Sequence, residues 1–203
     1  MPRLTSVTIP NSVTTIGDDA FWHCTGLTSI TVEKGNAVYD SRENCNAIIE
    51  TQTNTLIRGC KNTIIPGSVT TIGSGAFWAC TGLTSVTIPN SVTTIGDIAF
   101  WGCTNLKEIY SLSETPPVIY SYTFSNYSAT LYVPIGAKET YQTTDYWKEF
   151  ANIVEMDFTG ITEISPDATD GFGNGAIYDL YGRPVSKPAK GGIYIIGGKK
   201  VVL

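Results

Sequence analysis

The side chains in this sequence that could carry out chemistry are few, and most are isolated. His23 is the only histidine. General acid–base work or metal binding needs a partner for it. It stands between Trp22 and Cys24, in a string whose two near-copies carry Ala79 and Gly102 at the same place. A position that accepts Ala and Gly in its copies is not one the fold depends on, so no catalytic or metal role is assigned to it. The carboxylates Glu33, Asp40, Glu43, Glu50 and Glu108 do not recur at equivalent positions. No nucleophile–base pair, phosphate loop or metal cluster is visible, so neither a cofactor nor a metal is expected and the chain reads as a non-enzyme. The remote alternative is a polysaccharide-acting glycosidase or lyase. That would require two carboxylates facing each other across a crevice.

Five cysteines are present, and an odd number argues against a complete disulfide framework. Cys24, Cys80 and Cys103 occupy equivalent places in the copies, and Cys60 stands where Leu83 stands, as small semi-apolar core residues would. Cys45 and Cys60 face each other across an expected hairpin, as two thiols or as a disulfide. Trp22, Trp78 and Trp101 recur immediately after a phenylalanine; Trp78 and Trp101 are one repeat apart and can stack, whereas the expected hairpin separates Trp22 from them. An aromatic row of this kind either packs neighbouring turns together or anchors a partner. Tyr110, in a strand position, adds one more aromatic to the candidates.

The elements that must position these residues are repeats. Leu4–Gly26, Cys60–Gly82 and Leu83–Asn105 nearly coincide, each 23 residues long, within the range of leucine-rich repeats. Leu83, Val86 and Ile88 alternate with Ser85 and Thr87, as Leu4, Val7 and Ile9 do with Ser6 and Thr8. That pattern predicts short strands with apolar side chains inward and a Ser/Thr face outward. Pro10, Pro66 and Pro89 end the strand pairing. Val13 and Ile16 turn back inward. Gly17, Gly73 and Gly96 suit either positive φ or close backbone approach. Asp18, Ser74 and Asp97 can cap the turn that follows, and Phe21, Phe77 and Phe100 plug the end of the coil. No unit can bury its apolar edge alone, so the units must stack, at about 5 Å per turn. The expected result is one curved solenoid with Leu4, Leu27 and Leu83 lining one core. Its first strand edge should be open, inviting pairing with another copy or with further sequence.

The second unit, Leu27–Gly59, is longer. Asn46–Glu50 and Thr55–Gly59 flank a polar Thr51–Asn54 turn and predict a β-hairpin. It either continues the core or protrudes as a recognition loop. From Leu106 the pattern decays, with Phe124 at the plug position and a last strand through Leu131 and Val133. Tyr141, Trp147 and Phe150 then follow near helical spacing, as a capping helix over residues 137–150 would have them.

The strings LTSVTIPNSVTTIGD and AFWGCT resemble the bacterial surface-protein leucine-rich repeats called BspA-like, over roughly residues 4–155. The resemblance implies a right-handed solenoid on an exported or cell-surface protein. It also implies a family in which some members bind host matrix proteins or other cells. The fold class is therefore β-rich with minor helix. It comprises a leucine-rich-repeat solenoid of 23-residue units with a C-terminal capping helix over residues 1–157, and a small β module over 158–203. In that tail, Ser165–Gly175 reads as a linker. Tyr178–Arg183 and Gly192–Ile195 resemble C-terminal modules of exported Bacteroidetes proteins, some of which serve as sorting signals.

The net charge is −5 and no Lys/Arg cluster appears, which excludes a nucleic-acid footprint. No apolar run approaches the roughly 18 residues of a membrane helix. The chain opens inside a repeat, with no secretory leader in the sequence. It is expected to be the processed part of a longer exported protein rather than a cytosolic one. Two functions compete: an adhesin-like module for a matrix protein, cell-surface protein or glycan, and a structural spacer with no ligand of its own. A ligand is expected at the tryptophan edge rather than on the Ser/Thr sheet.

Overall fold

A computed structural model of the chain describes residues 4–17, 20–22, 24–158, 161–163, 177–178, 193–196 and 199–202. The strands are short because each repeat supplies only a few extended residues before a proline or glycine ends them. β1 (Ser6–Ile9) and β2 (Ser29–Val32) pair in parallel, with Ser6 opposite Ser29. A second ladder follows, of β3 (Tyr39–Asp40), β4 (Ile48–Glu50), β5 (Thr55–Arg58) and β6 (Thr71–Ile72). A third ladder begins at β7 (Ser85–Ile88), and β8 (Thr94–Ile95) returns to the second. β9 (Glu108–Ser111) and β10 (Thr130–Pro134) extend the third. Thr71 pairs with Thr94 and Ser85 with Glu108. These pairs share the 23-residue offset of Ser6 and Ser29, so one repeat makes one coil of a β-solenoid.

Apolar residues of successive coils fill the interior, and the phenylalanine plugs form a column. Phe77 and Phe100 stack at 5.0 Å and 8°, and Phe100 and Phe124 at 5.1 Å and 4°. All three are essentially inaccessible to solvent. Aromatic contacts of this kind add about 1 kcal/mol each beyond burial.

The core is not continuous, contrary to the expectation that Leu4, Leu27 and Leu83 share one. Leu27 lies in a cluster with Ile30, Ile48 and Cys60, whereas Leu83 lies in another with Phe77, Val86 and Cys45. Leu4 belongs to neither and is 44% exposed. The cause is the second unit. There β3, β4 and β5 pair antiparallel, around the Thr51–Asn54 turn, before β5 rejoins β6 in parallel. The hairpin interrupts the column, and Phe21 packs in the first cluster rather than on Phe77. The arms are held by Arg42, whose Nε and Nη2 donate to Asp40 while Nη1 donates to Asn54 Oδ1. All five cysteines are unpaired thiols, Cys45 and Cys60 both buried in separate clusters.

The far end departs from a simple capping helix. Helix α1 spans only Lys138–Thr143, and a 3-10 turn covers Trp147–Glu149. β11 (Asn152–Met156) then pairs in parallel with β10, so the sheet runs one strand further. Tyr141 and Trp147 are fully buried over the last coil. The Tyr141 hydroxyl donates to Ser113 O at 2.9 Å and accepts from Ser111 Oγ at 2.7 Å, and Trp147 Nε1 donates to Pro117 O at 2.7 Å. Two large aromatics therefore close the end without an unsatisfied polar atom.

A separate sheet is formed by β12 (Ile161–Glu163), β13 (Ile177–Tyr178), β14 (Ile193–Ile196) and β15 (Lys199–Val202), in the order β12-β15-β14-β13. The linker expected at Ser165–Gly175, and most of the segment resembling a sorting module, lie outside the described residues.

Candidate binding edge

Each regular coil carries its tryptophan on a tight turn that begins at a glycine in the equivalent place of its unit: Gly17, Gly73 and Gly96. None of these glycines has positive φ. Close approach explains the residue type. A Cβ on Gly96 would stand 2.5 Å from Ser74 N and 2.8 Å from Gly73 C. Neighbouring turns are knitted by backbone bonds: Gly75 N–H donates to Asp97 O, Phe77 N–H to Ala99 O and Ala79 N–H to Trp101 O. Positive φ falls two residues later, at Gly75 and Ile98, and at the ends of the turns, at Ala79 and Gly102.

The turns place the three tryptophans along one edge, but not in the expected order. Trp78 does not stack on Trp101. Instead Trp22 and Trp78 stack, with centroids 3.9 Å apart and planes at 17°. Trp101 meets Tyr122 edge-on at 5.6 Å. Trp22 is 46% exposed and Trp101 39%, with Trp78 half-buried between them. The hairpin unit was expected to separate Trp22 from Trp78, and it brings them together because it has no such turn. Twelve residues separate Thr71 from Leu83, but only five separate Thr55 from the corresponding Cys60. The flanking turns close over the missing one, and Gly59 lets them do so. Its hydrogen occupies the place where a Cβ would lie 2.3 Å from the Phe77 ring.

What the missing turn leaves is a cavity of about 460 Å³, lined by Gly17, Trp22, Tyr39, Glu50, Arg58 and Trp78 among others. Arg58 was not singled out from the sequence, although a lone cation ending an apolar strand was a signal. It is 6% exposed. Its Nη1 donates to Gly75 O at 3.1 Å and its Nη2 to Trp78 O at 3.4 Å. Trp78 O occupies the place of Trp101 O, which accepts the backbone N–H of Ala79. The guanidinium therefore substitutes for a backbone donor that the second unit lacks. Nε has no partner. Burial lowers the Arg58 pKa, and among the described residues no carboxylate lies within ion-pair distance. Tyr122, also missed, was signalled by Tyr120-Ser121-Tyr122 just before the Phe124 plug.

Tyr110 belongs elsewhere. It stacks on Tyr132 at 4.7 Å and 9°, is 6% exposed, and packs with Ile193 of β14. Burial raises its pKa. Ser85 and Thr87, expected to face solvent, are buried as well, while Ser6, Thr8 and Thr31 remain exposed. The Ser/Thr face is thus open only toward the first coils. Further along this face, Ile193 of β14 packs with Tyr110 and Tyr132. His23 lies outside the described residues. Among the described residues no three His, Cys, Asp or Glu side chains group as a metal site. No described helix is long and apolar enough to cross a membrane.

The family model for the BspA type leucine rich repeat region matches residues 1–53 and 47–172, in six copies. No curated protein matches the chain by sequence. Among solved structures, a leucine rich cell surface protein from Faecalibacterium prausnitzii is 26% identical over 75% of this chain and 48% of its own, at a TM-score of 0.48. A leucine-rich repeat protein from Eubacterium ventriosum is 24% identical over 64% of this chain and 42% of its own, at 0.42. The pneumococcal vaccine antigen PcpA is 17% identical over 76% and 56%, at 0.34. The chain thus spans about half the length of these proteins or less.

Proposed function

The chain belongs to the BspA-type leucine-rich-repeat family, and on that premise we propose that it is a non-enzymatic binding module of the cell surface or extracellular space, holding a protein or glycan partner at its aromatic edge. One observation carries this reading: the Trp22–Trp78 stack lies at a cavity and keeps nearly half of Trp22 in solvent. A purely structural tryptophan pair gains most by burying both rings. Indoles held rigid by stacking and left partly exposed cost little entropy to engage a partner, which is why Trp recurs among binding anchors. Trp101 and Tyr122 extend the same edge. The exposed Ser/Thr sheet offers hydrogen-bonding groups but no comparable anchor. A second contact, with another copy of the chain, is available at β1, which pairs on one side only among the described residues.

The test is a screen of the full chain against matrix glycoproteins and a glycan array, followed by Trp78→Ala and Trp101→Ala. Each should weaken binding about thirtyfold, the effect of losing an anchor worth about 2 kcal/mol, with the folded state retained. Thr31→Ala, on the exposed sheet, should change little. Normal binding by both tryptophan variants would make the row structural and leave the chain as a spacer.

A further inference from the structure

We propose that the cavity left by the missing turn takes a sugar bearing a single carboxylate, such as a uronic acid residue, with Arg58 as its anion anchor and the Trp22–Trp78 pair as its wall. This rests on the binding reading above and names the ligand class for the same edge.

Arg58 is a cation in the wall of a cavity with no described counter-anion. A buried charge is ordinarily paired, because removing it from water is costly. Its two carbonyl contacts explain why a donor is needed there, but a neutral side chain could supply those. Among the described residues they leave Nε without a partner, and three of the five guanidinium N–H groups unused. The preferred complement of a guanidinium is a carboxylate.

The rest of the lining selects a sugar over an acidic peptide. Tyr39, Glu50 and Ser74 add hydroxyl and carboxylate oxygens around the apolar surfaces of Trp22, Trp78 and Ile98. Glu50 accepts a hydrogen bond from Thr53 and can accept another from a ligand hydroxyl. It repels a second carboxylate, so a polyacidic segment is disfavoured. A pyranose ring lays its C–H face on an indole while its hydroxyls meet the oxygens. The cavity volume falls in the range that holds small ligands, about 300–1,000 Å³.

The experiment titrates methyl β-glucuronide against the full chain, following tryptophan fluorescence and heat, beside methyl β-glucoside, glucuronamide and a Glu-rich peptide. The uronide should bind about tenfold or more tightly than either neutral sugar. Arg58→Lys should reduce that preference and Arg58→Met abolish it, whereas Trp78→Ala should weaken all sugars together. Should the Arg58 variants fail to fold, the acid-to-neutral comparison on the unaltered chain still decides. Equal affinities, no uronide binding, or tighter binding of the acidic peptide would overturn the proposal. Asp18 and Asp19 follow Gly17 in the sequence, so Asp18→Asn with Asp19→Asn is the internal control. Uronide binding only in that variant would mean that the chain's own carboxylates take the place, and would also overturn it. Neutral glycans held at the tryptophans would leave the binding module standing while this inference fell. Glycan binding indifferent to the tryptophans would remove both.

Discussion

The same substitution at two equivalent repeat positions should have opposite effects. Gly17 and Gly96 occupy the same place in their units, yet a Cβ on Gly17 meets nothing within 4 Å while one on Gly96 meets Ser74 N at 2.5 Å and Ser74 Cα at 2.8 Å. These contacts are backbone, so no side chain can swing aside. Restoring an ordinary separation requires the turns to move apart by about 1 Å, the difference between a forbidden and a normal contact. Gly96 N–H bonds Ile72 O at 2.7 Å, and Phe77 N–H bonds Ala99 O at 2.8 Å. That movement would stretch both. Overpacking costs about 1–3 kcal/mol and a weakened hydrogen bond about 1 kcal/mol more. Gly96→Ala should therefore lose about 2–4 kcal/mol, or roughly 5–10 °C in Tm for a chain of this size. Gly17 has no positive φ and faces the cavity. Gly17→Ala should be neutral or gain about 0.4–1 kcal/mol by restricting the unfolded chain. Thermal and urea melts of both variants, followed by circular dichroism, measure the contrast. A difference under about 0.5 kcal/mol, comparable to ordinary surface substitutions, would refute the reasoning that close approach dictates these glycines.

Two further outcomes follow from the turns and the core. Ala79 sits at φ +52°, where a side chain costs about 1 kcal/mol that glycine does not, and the next coil has Gly102 there. Ala79→Gly should raise the urea midpoint, and a lowered one would show the methyl contributing more than its strain. Burial raises the pKa of Cys45 and Cys103 to about 12 and of Cys80 to about 11, from an ordinary 9.0. Between pH 9 and these values the native chain keeps protons that the unfolded chain releases, so stability falls as pH rises. The loss begins near pH 9 and amounts to about 1.4 kcal/mol per thiol at pH 10. Urea melts between about pH 8 and 10 should show this slope, and the triple Cys→Ala variant should flatten it; an unchanged slope would exclude the thiols as its source.

The sequence by itself determined the coil. The recurrence of Pro66 and Pro89, and of Phe77 and Phe100, at 23-residue spacing, with Pro10 at the equivalent place in the first unit, specifies strand, stop and plug, because stacked coils admit only residues that repeat in phase. It also identified the tryptophan edge, since a residue next to a buried plug on a tight turn must face another way. Only the tertiary structure decided which tryptophans meet. Trp22 and Trp78 are far apart in sequence, and their contact depends on a turn that the second unit omits, so repeat phase alone pointed to Trp78 and Trp101. The same omission created the cavity, split the core between Leu27 and Leu83, and gave Arg58 a place to be buried. Absent backbone donors leave no mark in a sequence; they become visible only when the carbonyls they would have served are seen accepting from a guanidinium. Tyr110 was legible as a strand residue facing out of the coil. Its burial depended on Ile193, whose approach across the sheet is set by packing between distant segments rather than by any local pattern.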